Sequence, residues 1–319
     1  MRHRHWLVSA AVILLVIYAG RKVDWRAAAT LFSTAAIAPL VAATLINIAS
    51  LMLTGVRWWI FLRQIGVERL SLAMRGVTVG AGLNNLLVAN GGDAARALLV
   101  ARAAGVRRTH VLATLALDRI FDPLCFGLLL FVATFVMRLP APLSRVRPIA
   151  GIALAAVLGL LAMLIKTPAP VADSVDGLEG WRERAHEFRR QLQFLATARR
   201  FVVAMLISLS VWGLQMATFA LVAKSVGVAM PLAGTLAALL LTNAGLVLRA
   251  TPGNVGYFQF AYVVASARFG VPTEAAVAAG LLIQLVQIVP VTLMALTLAP
   301  RMYRTNGEAR SATDSSRGE

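Results

Sequence analysis

The sequence predicts an all-α protein, a polytopic membrane helical bundle with about six full spans and two broken re-entrant hairpins in an inverted repeat. Three observations predict it. Hydrophobic residues make up 59% of the 319 residues and charged residues only 14%, whereas a soluble domain has about 45–50% and about 25%. Apolar runs of spanning length recur from end to end, and mean hydropathy is +0.76. Two runs are interrupted, at Asn84 to Arg96 (NNLLVANGGDAAR) and at Arg249 to Gln259 (RATPGNVGYFQ). Non-helical backbone at membrane depth is tolerated only where protein or a water-filled cavity satisfies it, and paired interruptions point to a transporter's binding site.

The chain starts with a basic flank and an apolar stretch, His5–Ala19. No small-x-small cleavage site follows Tyr18, so this segment reads as an uncleaved first helix rather than a signal peptide. Further spans are expected at Thr34–Leu53, Val111–Val136, Pro148–Ile165, Phe201–Ala223 and Glu274–Ala299. Between the second and third lies a broken pair, Leu72–Val88 and Ala94–Ala104. Between the fifth and sixth lies another, Leu232–Leu248 and Tyr257–Phe269. Residues 1–300 thus form one integral membrane domain.

Within it, residues 168–200 form a cytoplasmic amphipathic loop. Leu178, Trp181, Ala185, Phe188, Leu192 and Leu195 follow steps of three and four, opposite Arg182, Arg184, Arg189 and Arg190, the pattern of a basic helix on a leaflet surface or capping the bundle. Residues 301–319 read as a disordered cytoplasmic tail, polar and rich in small residues.

The formal net charge of +17 is spread between apolar segments, where it orients a membrane protein, so no nucleic-acid partner is expected. If both broken pairs return to their side of entry, the loop with Arg57, Arg63, Arg69 and Arg75 shares a side with Arg96, Arg102, Arg107 and Arg108. The central loop and the tail fall there too. Basic loops mark the cytoplasm, which places both termini inside. The hairpins then enter from opposite leaflets. A faint repeat agrees: Ala81-Gly82-Leu83 and Ala244-Gly245-Leu246 precede the breaks, and Gly105-Val106 and Gly270-Val271 follow them.

Enzyme chemistry finds little support. The single cysteine, Cys125, lies in an apolar run, and the four histidines, His3, His5, His110 and His186, are scattered. No spacing suggests a metal site, a nucleophile elbow or a cofactor. The first break carries the polar chemistry instead. Gly91-Gly92 frees the backbone, Asp93 can cap the following helix, and Arg96 can pair with Asp93 or face an anion near that helix start.

Asp118 and Asp122 share a helix face at i,i+4, with Arg119 at i,i+3 from Asp122. Charges inside a span mark either a site, for protons, a cation or a head group, or a buried structural network. In the second break Pro252 ends a helix, Gly253 turns the chain and Gly256 allows close approach. Arg249 has no acid nearby in sequence and seeks an anion. Asn84, Asn85, Asn243, Gln284 and Gln287 can line a cavity or bond between helices.

These residues resemble a flippase-like membrane family typified by the transmembrane region of lysylphosphatidylglycerol synthases. The resemblance rests on Arg57-Trp58, Gly91-Gly92-Asp93-Ala94-Ala95-Arg96, Asp118-Arg119-Ile120-Phe121-Asp122 and Pro252-Gly253-Asn254-Val255-Gly256. It covers nearly the whole chain. A proline usual before the first motif is absent from Val88-Ala89-Asn90, and Gln259 stands where a glutamate is usual. The soluble aminoacyl-transfer domain of two-domain relatives is missing, so lipid lysylation is not expected.

The resemblance implies a translocase of the bacterial inner membrane, not an enzyme, that moves an anionic phospholipid, glycolipid or polyprenyl lipid between leaflets. Arg96, Arg119 and Arg249 would contact the head group, with Asp93, Asp118 and Asp122 orienting them or coupling protons. A membrane-embedded transferase using a lipid-linked donor, and a non-transporting partner of an envelope biogenesis enzyme, are the alternatives.

Overall fold

Asp24 starts the first described helix. Its carboxylate accepts from the N–H groups of Arg26 (2.9 Å) and Ala27 (3.1 Å), satisfying two donors that a helix start leaves free. The computed structural model describes residues 23–86, 91–136, 198–244 and 256–315, with isolated helical positions at 148, 151, 152, 154, 155 and 159; for 86, 198 and 299–315 only the backbone is described. All the regular elements among them are helical: α1 Trp25–Ser33, α2 Ile37–Leu62, α3 Leu70–Leu86, α4 Gly91–Ala104, α5 Arg108–Val136, α6 Ala198–Ser225, α7 Leu232–Ala244, α8 Tyr257–Ala267 and α9 Thr273–Ser315, with one 3-10 turn at Arg63–Ile65.

Four of these helices, α2, α5, α6 and α9, are long and apolar enough to cross a membrane. Their outward faces carry large apolar residues, with Ile37, Val41, Leu45, Leu206, Leu293 and Leu296 all more than half exposed. In water such a surface would be an aggregation liability, whereas in a bilayer it is the lipid-facing wall. The expected spans 5–19 and 148–165 lie outside the described residues, apart from the isolated helical positions. So do nearly all of the amphipathic loop 168–200 and, in the second break, 245–255.

Helix α2 runs on to Leu62, beyond the expected end at Leu53, and takes Arg57 with it. Helix α9 continues to Ser315, through residues expected to form an unstructured tail. No proline follows Pro300, and extending an established helix avoids the cost of nucleation.

The two halves of the chain repeat one order: long helix, two short helices, long helix. Each long-to-short and short-to-long junction carries a Gly-Val pair with the glycine left-handed, at Gly66 (φ 84°), Gly105 (φ 67°), Gly227 (φ 74°) and Gly270 (φ 73°). At the first three, the valine N–H donates to a carbonyl five residues back: Val67 to Leu62, Val106 to Ala101 and Val228 to Ala223. This is a Schellman stop, and glycine takes the left-handed position because a Cβ would be strained there.

Helices α2 and α6, which begin the two halves, run antiparallel. The Ala36 N–H at the start of α2 donates to the Ser225 carbonyl at the end of α6 (2.8 Å), while Arg57 late in α2 meets Ser208 early in α6. That is the relation an inverted repeat requires. Each half has its own core, one around Trp58, Phe61 and Phe121, the other around Phe219, Phe258 and Tyr262. Each core also takes one fully buried residue from the opposite half, Ala204 of α6 in the first and Ala43 of α2 in the second.

Candidate functional site

Three aspartates and three arginines from α2, α4 and α5 form a closed ring of alternating charge. Arg57 Nε donates to Asp118 Oδ1 (2.7 Å), and Asp118 Oδ2 accepts from Arg96 Nη2 (3.1 Å). Arg96 Nε lies 3.6 Å from Asp93 Oδ1. Asp93 Oδ1 also accepts from Arg119 Nη2. Arg119 Nη1 reaches Asp122 Oδ2 (3.3 Å), and Asp122 Oδ1 returns to Arg57 Nη2 (2.9 Å). Each member has an opposite charge on both sides, so the ring is neutral. Neutrality matters because an uncompensated charge in hydrocarbon is costly.

Local structure places each member. Helix α4 can approach α3 because Gly80 and Gly92 meet where any Cβ would collide. A Cβ on Gly92 would overlap the Gly80 carbonyl, and one on Gly80 would press on the Arg96 side chain. Asn84 of α3 then accepts from the Gly92 N–H (3.0 Å), so Asn84 satisfies a free donor at the start of α4. Asp93, expected to cap that helix, lies inside its first turn and turns to Arg119. The reason is competition: Asn84 takes a free N–H, while a guanidinium offers Asp93 a charge-assisted partner.

Arg96 keeps the expected ion pair with Asp93 and adds a direct hydrogen bond to Asp118, and its guanidinium lies over the Trp58 ring at 4.6 Å. Trp58 is held by its indole N–H, which donates to Thr114 Oγ1 (3.2 Å). Arg57 spends its remaining edge on Ser208 Oγ (2.8 Å), which ties α6 to the ring.

The ring has a closed side and an open side. Arg57, Arg96 and Asp118 are almost wholly buried, while the side chains of Arg119 and Asp122 are 46% and 39% exposed. Arg119 is roughly 17 Å along the axis from Arg108 at 1.5 Å per residue, near the middle of a hydrocarbon layer about 30 Å thick. Pro123 follows inside the same helix. Having no N–H, it leaves the Arg119 carbonyl without its usual donor four residues on. The open side thus presents a guanidinium and a carboxylate on one turn of α5, at mid-span depth.

Sequence reasoning counted Arg57 among loop cations and missed Ser208 entirely. The signal for Arg57 was the unbroken apolar run on both sides of it, which makes a helix through Arg57-Trp58 as natural as a loop. Nothing local marks Ser208.

The second break is described only from Gly256. Arg249, Pro252 and Gly253 lie outside the described residues. Gly256 has φ 91°, and its N–H donates to Gln259 Oε1 (2.7 Å). The Gln259 amide N–H donates in turn to Gln284 Oε1 of α9. Gln259 therefore uses both ends of its amide to join the start of α8 to α9. Asn85 bonds Thr292 of α9 (3.4 Å), and Asn243 bonds its own helix at the Leu239 carbonyl (2.8 Å). Among the described residues, no group of three or more His, Cys, Asp or Glu could hold a metal ion.

The model of one protein family, the lysylphosphatidylglycerol synthase TM region, matches residues 6–295. The chain belongs to this family. The match takes in both halves of the repeat and every residue of the ring. Membership, together with the apolar helices, makes the chain an integral membrane protein of a family associated with lipid metabolism or translocation. No curated protein matches the chain.

Proposed function

We propose that this chain moves an amphipathic lipid between the leaflets of the bacterial inner membrane and performs no chemical step on it. One observation carries the reading: the half-exposed Arg119–Asp122 pair at mid-span depth. Facing acyl chains, such a pair would be expensive, so its open side faces water or a polar ligand. A lipid head group crossing the bilayer needs such a polar waypoint. Arg119 is the head-group contact in this reading, Arg57, Arg96 and Asp118 hold the site rigid, and Asp93 and Asp122 orient Arg119.

The short helices support alternating access from both leaflets. The described segments of α3, α4, α7 and α8 run 17, 14, 13 and 11 residues, and α8, bounded at both ends, is about 16 Å long, less than the hydrocarbon thickness. They serve as two re-entrant pairs, and the antiparallel α2 and α6 send them in from opposite sides. The basic loops put both termini in the cytoplasm.

Purified protein in liposomes carrying acyl-labelled phospholipids tests this. Wild-type protein accelerates loss of inner-leaflet protection well above protein-free vesicles, and Arg119→Ala lowers the protein-dependent part of the rate about tenfold, as expected for a lost charged hydrogen bond. Wild-type rates equal to those of empty vesicles would sink the reading.

A further inference from the structure

The charge balance of the ring says what kind of head group it can take, provided the translocation reading above holds. The ring is neutral, and its longest hydrogen-bonded ion pair is Arg119 Nη1 to Asp122 Oδ2, at 3.3 Å on the open side. A ligand that enters there separates these two groups. A plain anion would pair with Arg119 but would strip Asp122 of one partner and leave the site with a net negative charge at mid-depth. That penalty opposes binding. A ligand with both charges replaces both partners at once, and every member of the ring stays paired. The half-exposed Asp122 carboxylate can accept from the N–H donors of an ammonium group.

We propose that the head group received at this site is zwitterionic, with its phosphate on the Arg119 guanidinium and its ammonium on the Asp122 carboxylate. Asp122 is then the group that sets selectivity. Its other oxygen stays bonded to buried Arg57 (2.9 Å), so the carboxylate is held in place whether or not a ligand is present.

The test compares acyl-labelled phosphatidylethanolamine, which carries both charges, with acyl-labelled phosphatidylglycerol, which carries only the phosphate. Transport in liposomes and competitive retention of the two lipids in native mass spectrometry are both read. Wild-type protein favours the zwitterionic lipid about tenfold in each, the size of one charged hydrogen bond. Asp122→Asn, which keeps shape but removes the negative charge, brings the ratio to one or below, and Asp122→Glu restores part of it. Equal or reversed preference in wild-type protein overturns the proposal, as does an Asp122→Asn ratio unchanged in properly folded, monodisperse protein. Selective retention without transport would leave the head-group assignment standing and overturn the translocation reading alone.

Discussion

Arg57 and Asp118 lie 2.7 Å apart and are both sealed from solvent, although 61 positions separate them in the chain. This contact fastens α2 to α5 and anchors the closed side of the ring. All other members are positioned relative to it.

Removing Arg57 should therefore be among the most damaging single changes. Arg57→Leu leaves Asp118 and Asp122 short of a partner in a buried setting and should cost about 3–5 kcal/mol. Thermal or denaturant unfolding in detergent measures it. The double variant Arg57→Leu with Asp118→Leu should lose less than the two single losses added together, because each single change strands a charge that the double change removes. Additive losses would show that the pair is not coupled.

Ser208 is a smaller support of the same contact. Ser208→Ala deprives one Arg57 N–H of its acceptor and should cost about 1–3 kcal/mol. Ser210→Ala is the comparison, since Ser210 bonds only its own helix on an exposed face; it should change stability by about 0.5 kcal/mol or less. Equal effects of the two would dismiss the role given to Ser208.

Close approach of α3 and α4 depends on the absence of side chains at Gly80 and Gly92. Gly92→Ala should force the helices apart, cost about 1–3 kcal/mol or more, and disturb the Asn84 contact. Gly213→Ala in α6 has nothing within 4 Å of the added Cβ, so it should gain up to about 1 kcal/mol from helix propensity. Opposite signs are expected in one unfolding assay.

The amide bridge of the second half gives the fourth expectation. Gln259→Leu leaves the Gly256 N–H without its acceptor and should cost about 1–3 kcal/mol. Hydrogen exchange at the start of α8 should rise with it, while exchange in α4 stays unchanged. A uniform rise across both halves would mean that the bridge does not act locally.

Much of the architecture was legible because its signals are local. The interrupted runs placed α3–α4 and α7–α8, and Gly105-Val106 with Gly270-Val271 marked two of the four stops, since a left-handed turn needs glycine wherever it occurs. The other two stops, Gly66-Val67 and Gly227-Val228, carry the same signature and complete the repeat. Legibility failed where a residue's role depends on a distant partner. Arg57 looked like one more basic loop residue because a charge count cannot distinguish a solvated arginine from a buried one. Asp93 looked like a helix cap because the competing groups, Asn84 and Arg119, come from other helices.

By itself, the sequence determined that this chain is a membrane helical bundle, that a long helix follows Gly105-Val106 and Gly270-Val271, and that α5 carries Asp118, Arg119 and Asp122 inside one long apolar helix. Hydropathy, glycine placement and i,i+4 spacing are properties of neighbouring residues, and they survive without knowledge of packing. Only the tertiary structure decided that the six charges close into one neutral ring, that Arg57 belongs to it, and that Arg119 and Asp122 form its open edge. Those facts follow from the crossing of α2, α4 and α5, and in hydrocarbon the pairing of a charge, more than its identity, determines whether it can be there at all.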